Sequence, residues 1–134
     1  MTTGLTTEGY WLLMTILMTS LMWLPYIINR ILELGVMPAF MDPYGLTEAR
    51  APWANRMMAA HVNAVENLVI FAPLVILVVM QNAVDENTAL AVQVYFYARL
   101  AHFLVFTFAM PLLRVVSFLV GFAAEIALLF TLII

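Results

Sequence analysis

The 134-residue sequence contains no cysteine and no lysine, and all five of its cations are arginines. The lack of cysteine excludes a disulfide framework, a thiolate metal site and a protein thiol nucleophile, and leaves the redox compartment open. The lack of lysine excludes Schiff-base chemistry. Charge is scarce as well: 10% of the residues are charged, against about a quarter in ordinary soluble proteins. A net charge of −3 offers no basic face to a nucleic acid. With two histidines and no cysteine, no metal site is expected. What remains is apolar, 66% of the chain. Such a chain cannot cover its own surface with polar groups, so much of its solvent must be lipid.

One domain over 1–134 is expected by length. About 20 apolar residues cross a bilayer core, and four stretches qualify: Tyr10–Ile28, Ala54–Met80, Thr88–Phe108 and Leu112–Ile134. The fold class read from this is all-α and integral to the membrane, a bundle of four transmembrane helices. The first apolar stretch has no basic residues ahead of it and no small-residue cleavage pattern, so it reads as a retained span. Between spans one and two, "LGVMPAFMDPYGLTEARAPW" (34–53) carries Gly35, Pro38, Pro43, Gly45 and Pro52 and reads as a loop with short turns. "QNAVDENT" (81–88) reads as a compact polar turn, and Pro111 opens span four. Pro25 and Pro73 fall inside spans, where neighbouring helices can satisfy the freed carbonyls.

Arginine sets the expected orientation. Arg30, Arg50 and Arg56 lie at the 1–2 connection and Arg114 at the 3–4 connection, whereas the 2–3 turn holds Asp85 and Glu86. Both arginine-bearing connections are therefore expected in the cytoplasm and both termini outside.

The polar residues of the spans follow helical spacing. Arg56, Asn63, Glu66 and Asn67 form one stripe of span two, with His61 off it and better suited to a structural contact. Arg99, His102 and Phe106 form a stripe of span three; Arg114, Ser117 and Gly121 form one of span four, which Glu125 extends by a turn. A charge at mid-span costs roughly 2.5–3.5 kcal/mol on insertion scales. The surrounding apolar residues offset that, but Arg99 is still barred from lipid and must face protein or water. The simplest arrangement is a wet, electropositive pocket between helices, open to the cytoplasm. The alternative is that Asn63 and Asn67 join helices and that Glu66 and Arg99 form a structural ion pair.

Three segments carry a family resemblance. "AHVNAVENLVIF" (60–71), "ARLAH" (98–102) and "PLLRVVSFLVGF" (111–122) resemble, in order, the helix motifs of the membrane-associated proteins in eicosanoid and glutathione metabolism, the MAPEG family. The likeness is to a bacterial-type member near the microsomal glutathione transferases. It implies a left-handed four-helix bundle assembled as a homotrimer, with glutathione between subunits near the cytoplasmic face and a lipophilic co-substrate arriving from the bilayer. By the same resemblance Asn63 and Glu66 would hold glutathione, Arg99 and His102 would line its pocket, and Arg30 would reach it from the first helix. Arg114 would stabilise the thiolate, with Ser117 in support.

Two departures weigh against tight binding. Family members often carry arginine at the positions of Ala59 and Val62, and Phe106 stands where some carry tyrosine. Arg56, one turn earlier, is placed to replace one lost guanidinium. The implied activity is a glutathione-dependent transferase or peroxidase acting on lipophilic electrophiles or lipid hydroperoxides. The alternative is a non-catalytic membrane subunit with a decayed glutathione site. A proton pathway through Glu66, Arg99 and Glu125 lacks polar positions in the outer half. Glu125, past the midplane with no arginine at its own depth, is expected to carry a proton or to meet a polar group of a neighbouring helix or a membrane-protein partner.

Overall fold

A computed structural model describes residues 4–42 and 48–134, and within them the chain is helical with no strand. The elements are α1 (Thr7–Leu21), α2 (Leu24–Leu34), α3 (Val36–Phe40), α4 (Pro52–Met80), α5 (Glu86–Thr107) and α6 (Pro111–Ile133). Four stretches are long and apolar enough to cross a membrane: Thr7–Leu34, which joins α1 and α2, then α4, α5 and α6. The protein is an integral, multi-pass membrane protein with a four-helix architecture.

The helix ends follow local chemistry. The Thr6 hydroxyl accepts from the Gly9 amide at the start of α1. Asp85 and Thr88 form a reciprocal capping box at the start of α5. Pro52 and Pro111 stand in the first turns of α4 and α6, where a missing N–H leaves no bond unmade. Pro25 lies inside the first span, Thr7–Leu34, as expected, but the helix is interrupted ahead of it: α1 ends at Leu21, four residues before the proline, and α2 restarts at Leu24. The proline ring clashes with the carbonyl four residues back, and the chain resolves this by breaking. Pro73, by contrast, lies inside an unbroken α4.

The first span is also longer than Tyr10–Ile28, and the following connection contains the short helix α3. Pro43 and Gly45, read as part of that loop, lie outside the described residues. At 29 residues, α4 is roughly 43 Å long and overreaches a hydrocarbon core of about 30 Å.

α5 is the inner helix, packed against α1, α4 and α6, while α4 also meets α1, α2 and α6. One core cluster gathers Leu12, Phe71, Val75, Val78, Val92, Tyr95 and Leu128; a second gathers Met22, Met57, Ala60, Ala64 and Phe103. The Phe71 and Tyr95 rings stack at 3.6 Å and tie α4 to α5. Leucines and valines with half or more of their surface open, such as Val69, Leu112 and Leu119, form the face that lipid or a further subunit would cover.

Candidate functional site

The antiparallel contact of α5 and α6 is a ladder of polar and aromatic rungs. The Arg114 guanidinium lies over the Phe106 ring at 4.9 Å. One turn deeper the His102 ring meets Phe118 at 5.8 Å. Next, Arg99 lies against Gly121, where an added Cβ would fall 2.8 Å from Nη2. Last, the Tyr95 hydroxyl is within electrostatic reach of both Arg99 and Glu125. Steps of four, three and four residues along α5 match the same steps along α6, so helical periodicity keeps every rung on one face of each helix.

Arg99 is 2% exposed. Its Nη2 donates to Asn67 Oδ1 at 3.3 Å, and its guanidinium lies over the rings of Tyr95 and Phe118 at 5.0 and 5.1 Å. Asn67 Nδ2 in turn donates to the Asn63 carbonyl at 2.8 Å and to Asn63 Oδ1 at 3.3 Å. A charged group of α5 is thereby linked, through two carboxamides, to the Asn63 turn of α4. Among the described residues, Tyr95 Oη, Arg99 Nε and Nη1, both ring nitrogens of His102, and Glu125 Oε1 are buried without a hydrogen bond of ordinary geometry. An orphan of this kind costs about 1–3 kcal/mol, so this seam is costly as a purely structural element.

At the arginine-bearing end of the bundle, Arg56, Phe106, Ala109, Met110, Pro111 and Arg114 line an open cavity of about 200 Å³. Arg56 is held there by its Nε, which donates to the Thr107 carbonyl at 2.8 Å and covers the negative end of α5. Two guanidiniums thus share one hollow. That hollow is smaller than the 300 Å³ or more of usual ligand pockets, so by itself it does not enclose a ligand of ordinary size.

The remaining candidates lie elsewhere. Glu66 is exposed on α4 and Asn63 half-buried beside it; the Glu66–Arg99 ion pair considered from the sequence does not form, because Arg99 points inward to Asn67. Arg30 is bonded to Asp42 at 2.8 Å in a recess with Tyr26, Glu33 and Glu48, away from Arg114. Ser117 Oγ donates to the Leu113 and Arg114 carbonyls of its own helix and borders a groove lined by Gln93, Tyr97 and Ala101. His61 accepts or donates across 2.7 Å to the Tyr26 hydroxyl and joins α2 to α4, the structural role its position off the stripe suggested.

Sequence reasoning did not single out Tyr95, although it lies one turn before Arg99 on the Arg99–His102–Phe106 stripe. It also placed Gly121 on a stripe without its role. The signal was present: a glycine opposite a buried arginine marks the place where a guanidinium needs room.

The sequence matches the model of the MAPEG family over residues 9–134. No curated protein and no solved structure matches it.

Proposed function

Because the chain belongs to the MAPEG family, we propose that it is a glutathione-dependent membrane transferase or peroxidase acting on lipophilic electrophiles or lipid hydroperoxides. The observation that carries this reading is the pairing of Arg56 and Arg114 around one hollow, one turn from His102 and two from the Arg99–Asn67–Asn63 chain. Glutathione presents two carboxylates, an ammonium and a thiol, and these residues are the complementary set. Arg56 and Arg114 suit a carboxylate and the thiolate, and the exposed Glu66 carboxylate suits the ammonium, with Asn63 beside it. The small size of the hollow fits a site completed by a neighbouring subunit of a homotrimer, with Arg30 contributed from a different subunit than Arg114.

Arg114 does the chemical work in this proposal. The reactive species is the thiolate, and the positive charge of a guanidinium lying over Phe106 beside the hollow favours that form. In conjugation the sulfur forms a bond to the electrophilic carbon, and the leaving group departs or the adduct takes up a proton. In peroxide reduction one glutathione thiolate attacks the distal oxygen and the alkoxide leaves with a proton as alcohol. A second glutathione thiolate then attacks the sulfenic sulfur, yielding disulfide and water. The lipid-facing grooves lined by Leu, Val and Phe would admit greasy co-substrates with little discrimination. The arginine-bearing end faces the cytoplasm in this reading, the orientation that the bias of arginines favours.

The test is direct. Purified protein mixed with millimolar glutathione should show the ultraviolet absorbance of bound thiolate, and Arg114→Ala should lose it. Absence of the band from the unaltered protein would leave a non-catalytic membrane subunit as the better description.

A further inference from the structure

Resting on the glutathione reading above, we propose that Glu125 is a positioning residue: its carboxyl anchors the inner end of a polar relay that runs through Tyr95 and Arg99 to Asn67 and Asn63, and so sets the α4 groups offered to glutathione.

Glu125 is 3% exposed and sits well inside α6, where a leucine would pack without polar cost. Against the expectation of no arginine at its depth, its position is tied to Arg99 in three ways, because the long Arg99 side chain reaches α6 at Gly121, one turn from Glu125. It lies one turn beyond Gly121, and Gly121 is where the guanidinium rests against α6. It shares the Tyr95 hydroxyl with Arg99, since both act on that group. It also shares with Asn67 the lining of an otherwise apolar groove of about 380 Å³ between α4 and α6. The two polar members of that groove are therefore the two groups flanking Arg99.

Arg99 has more donors than Asn67 can take. Among the described residues Asn67 Oδ1 accepts one at 3.3 Å, and Nε and Nη1 have no hydrogen bond of ordinary geometry. Two aromatic faces pack against the guanidinium but supply no hydrogen-bond acceptor for its remaining N–H groups. A second acceptor beside the guanidinium would fix it, and the carboxyl whose Oε1 is itself buried without a hydrogen bond of ordinary geometry is Glu125. Direct contact or contact through the Tyr95 hydroxyl serves equally. Once Arg99 is set, Asn67 Oδ1 is claimed, its Nδ2 is directed to Asn63, and the Asn63 turn is fixed. Gly121 is the complementary half of the device, because any side chain there would push against Arg99 Nη2, Cζ and Nε at 2.8–3.0 Å.

The experiment uses the full chain in detergent micelles, with glutathione as the probe and thiolate absorbance as the readout. Glu125→Leu and Gly121→Ala should each weaken glutathione binding about tenfold, the equivalent of one misplaced contact of roughly 1.4 kcal/mol. The thiolate band at saturating glutathione should persist in both, because Arg114 is untouched. Glu125→Gln keeps an acceptor oxygen and should restore binding to within about threefold of the unaltered protein. Gly121→Ala displaces the flexible end of one side chain and leaves the fold standing, so it tests the idea even where Glu125→Leu folds poorly. Unchanged binding in both Glu125→Leu and Gly121→Ala would overturn the proposal, as would a Gln variant no better than Leu. Thermal unfolding of Arg99→Met, Glu125→Leu and their double variant tests the relay without glutathione: the losses should be less than additive, and strict additivity would overturn it. No thiolate band in the unaltered protein would instead count against the glutathione reading, with the unfolding cycle still deciding the relay.

Discussion

Each of the five arginines has its own surroundings, and those surroundings separate their roles. Arg99 is enclosed by two rings and a carboxamide, Arg30 is paired with Asp42, Arg56 covers a helix end, Arg114 borders a hollow over Phe106, and Arg50 is exposed in the connection, its backbone amide donating to Glu33. The residues absent from the pattern matter equally. Val62 is 54% exposed on α4, one residue before Asn63, and a guanidinium there would stand at the proposed site without displacing any core side chain. A hydrogen bond to a charged group is worth about 1.5–3 kcal/mol. Val62→Arg should therefore tighten glutathione binding by about tenfold or more, measured by titration of the thiolate band. Unchanged affinity would place the tripeptide away from this face of α4.

The helices themselves were largely legible from apolar runs and breakers, because span length and capping chemistry are local properties. The broken first span was not, since a proline inside an apolar run is compatible with either a kink or a restart. The α5–α6 turn shows a local cost retained by the fold. Ala109 adopts φ 59°, a left-handed conformation that costs an L-residue roughly 1–2 kcal/mol, while Met110 N–H donates to the Val105 carbonyl at 2.9 Å to close the helix. Ala109 also lines the Arg56–Arg114 hollow. Glycine adopts this conformation freely, so Ala109→Gly should stabilise the protein by about 0.5–1 kcal/mol, seen as a higher melting temperature in detergent. A lower melting temperature would show that the methyl group packs usefully in the turn.

At the scale of the whole molecule, the open face of α4 carries Glu66 among Val62, Val65, Val69 and Ile70. A carboxylate in that setting is costly against acyl chains, and a neighbouring subunit is the cover we propose. Light scattering of the detergent complex, corrected for bound detergent, should give three times the 15.1 kDa chain mass. A monomer would remove the shared site. The cysteine-free background also permits a clean test of orientation. Glu48→Cys and Gln81→Cys, both at exposed positions, should differ in intact cells. A membrane-impermeant thiol reagent should label Gln81→Cys alone; the reverse pattern would invert the proposed topology.

By itself the sequence determined the membrane as solvent, the number of spans, and which face of each helix bears polar groups. All of these follow from composition and from a period of 3.6 residues, which are readable along one chain. Only the tertiary structure decided which stripes meet. It set Arg99 against Gly121 and Asn67, turned Glu66 outward and drew Tyr95 to the seam with Glu125. Helix–helix register depends on how side chains of different helices interlock, and no single helix carries that information.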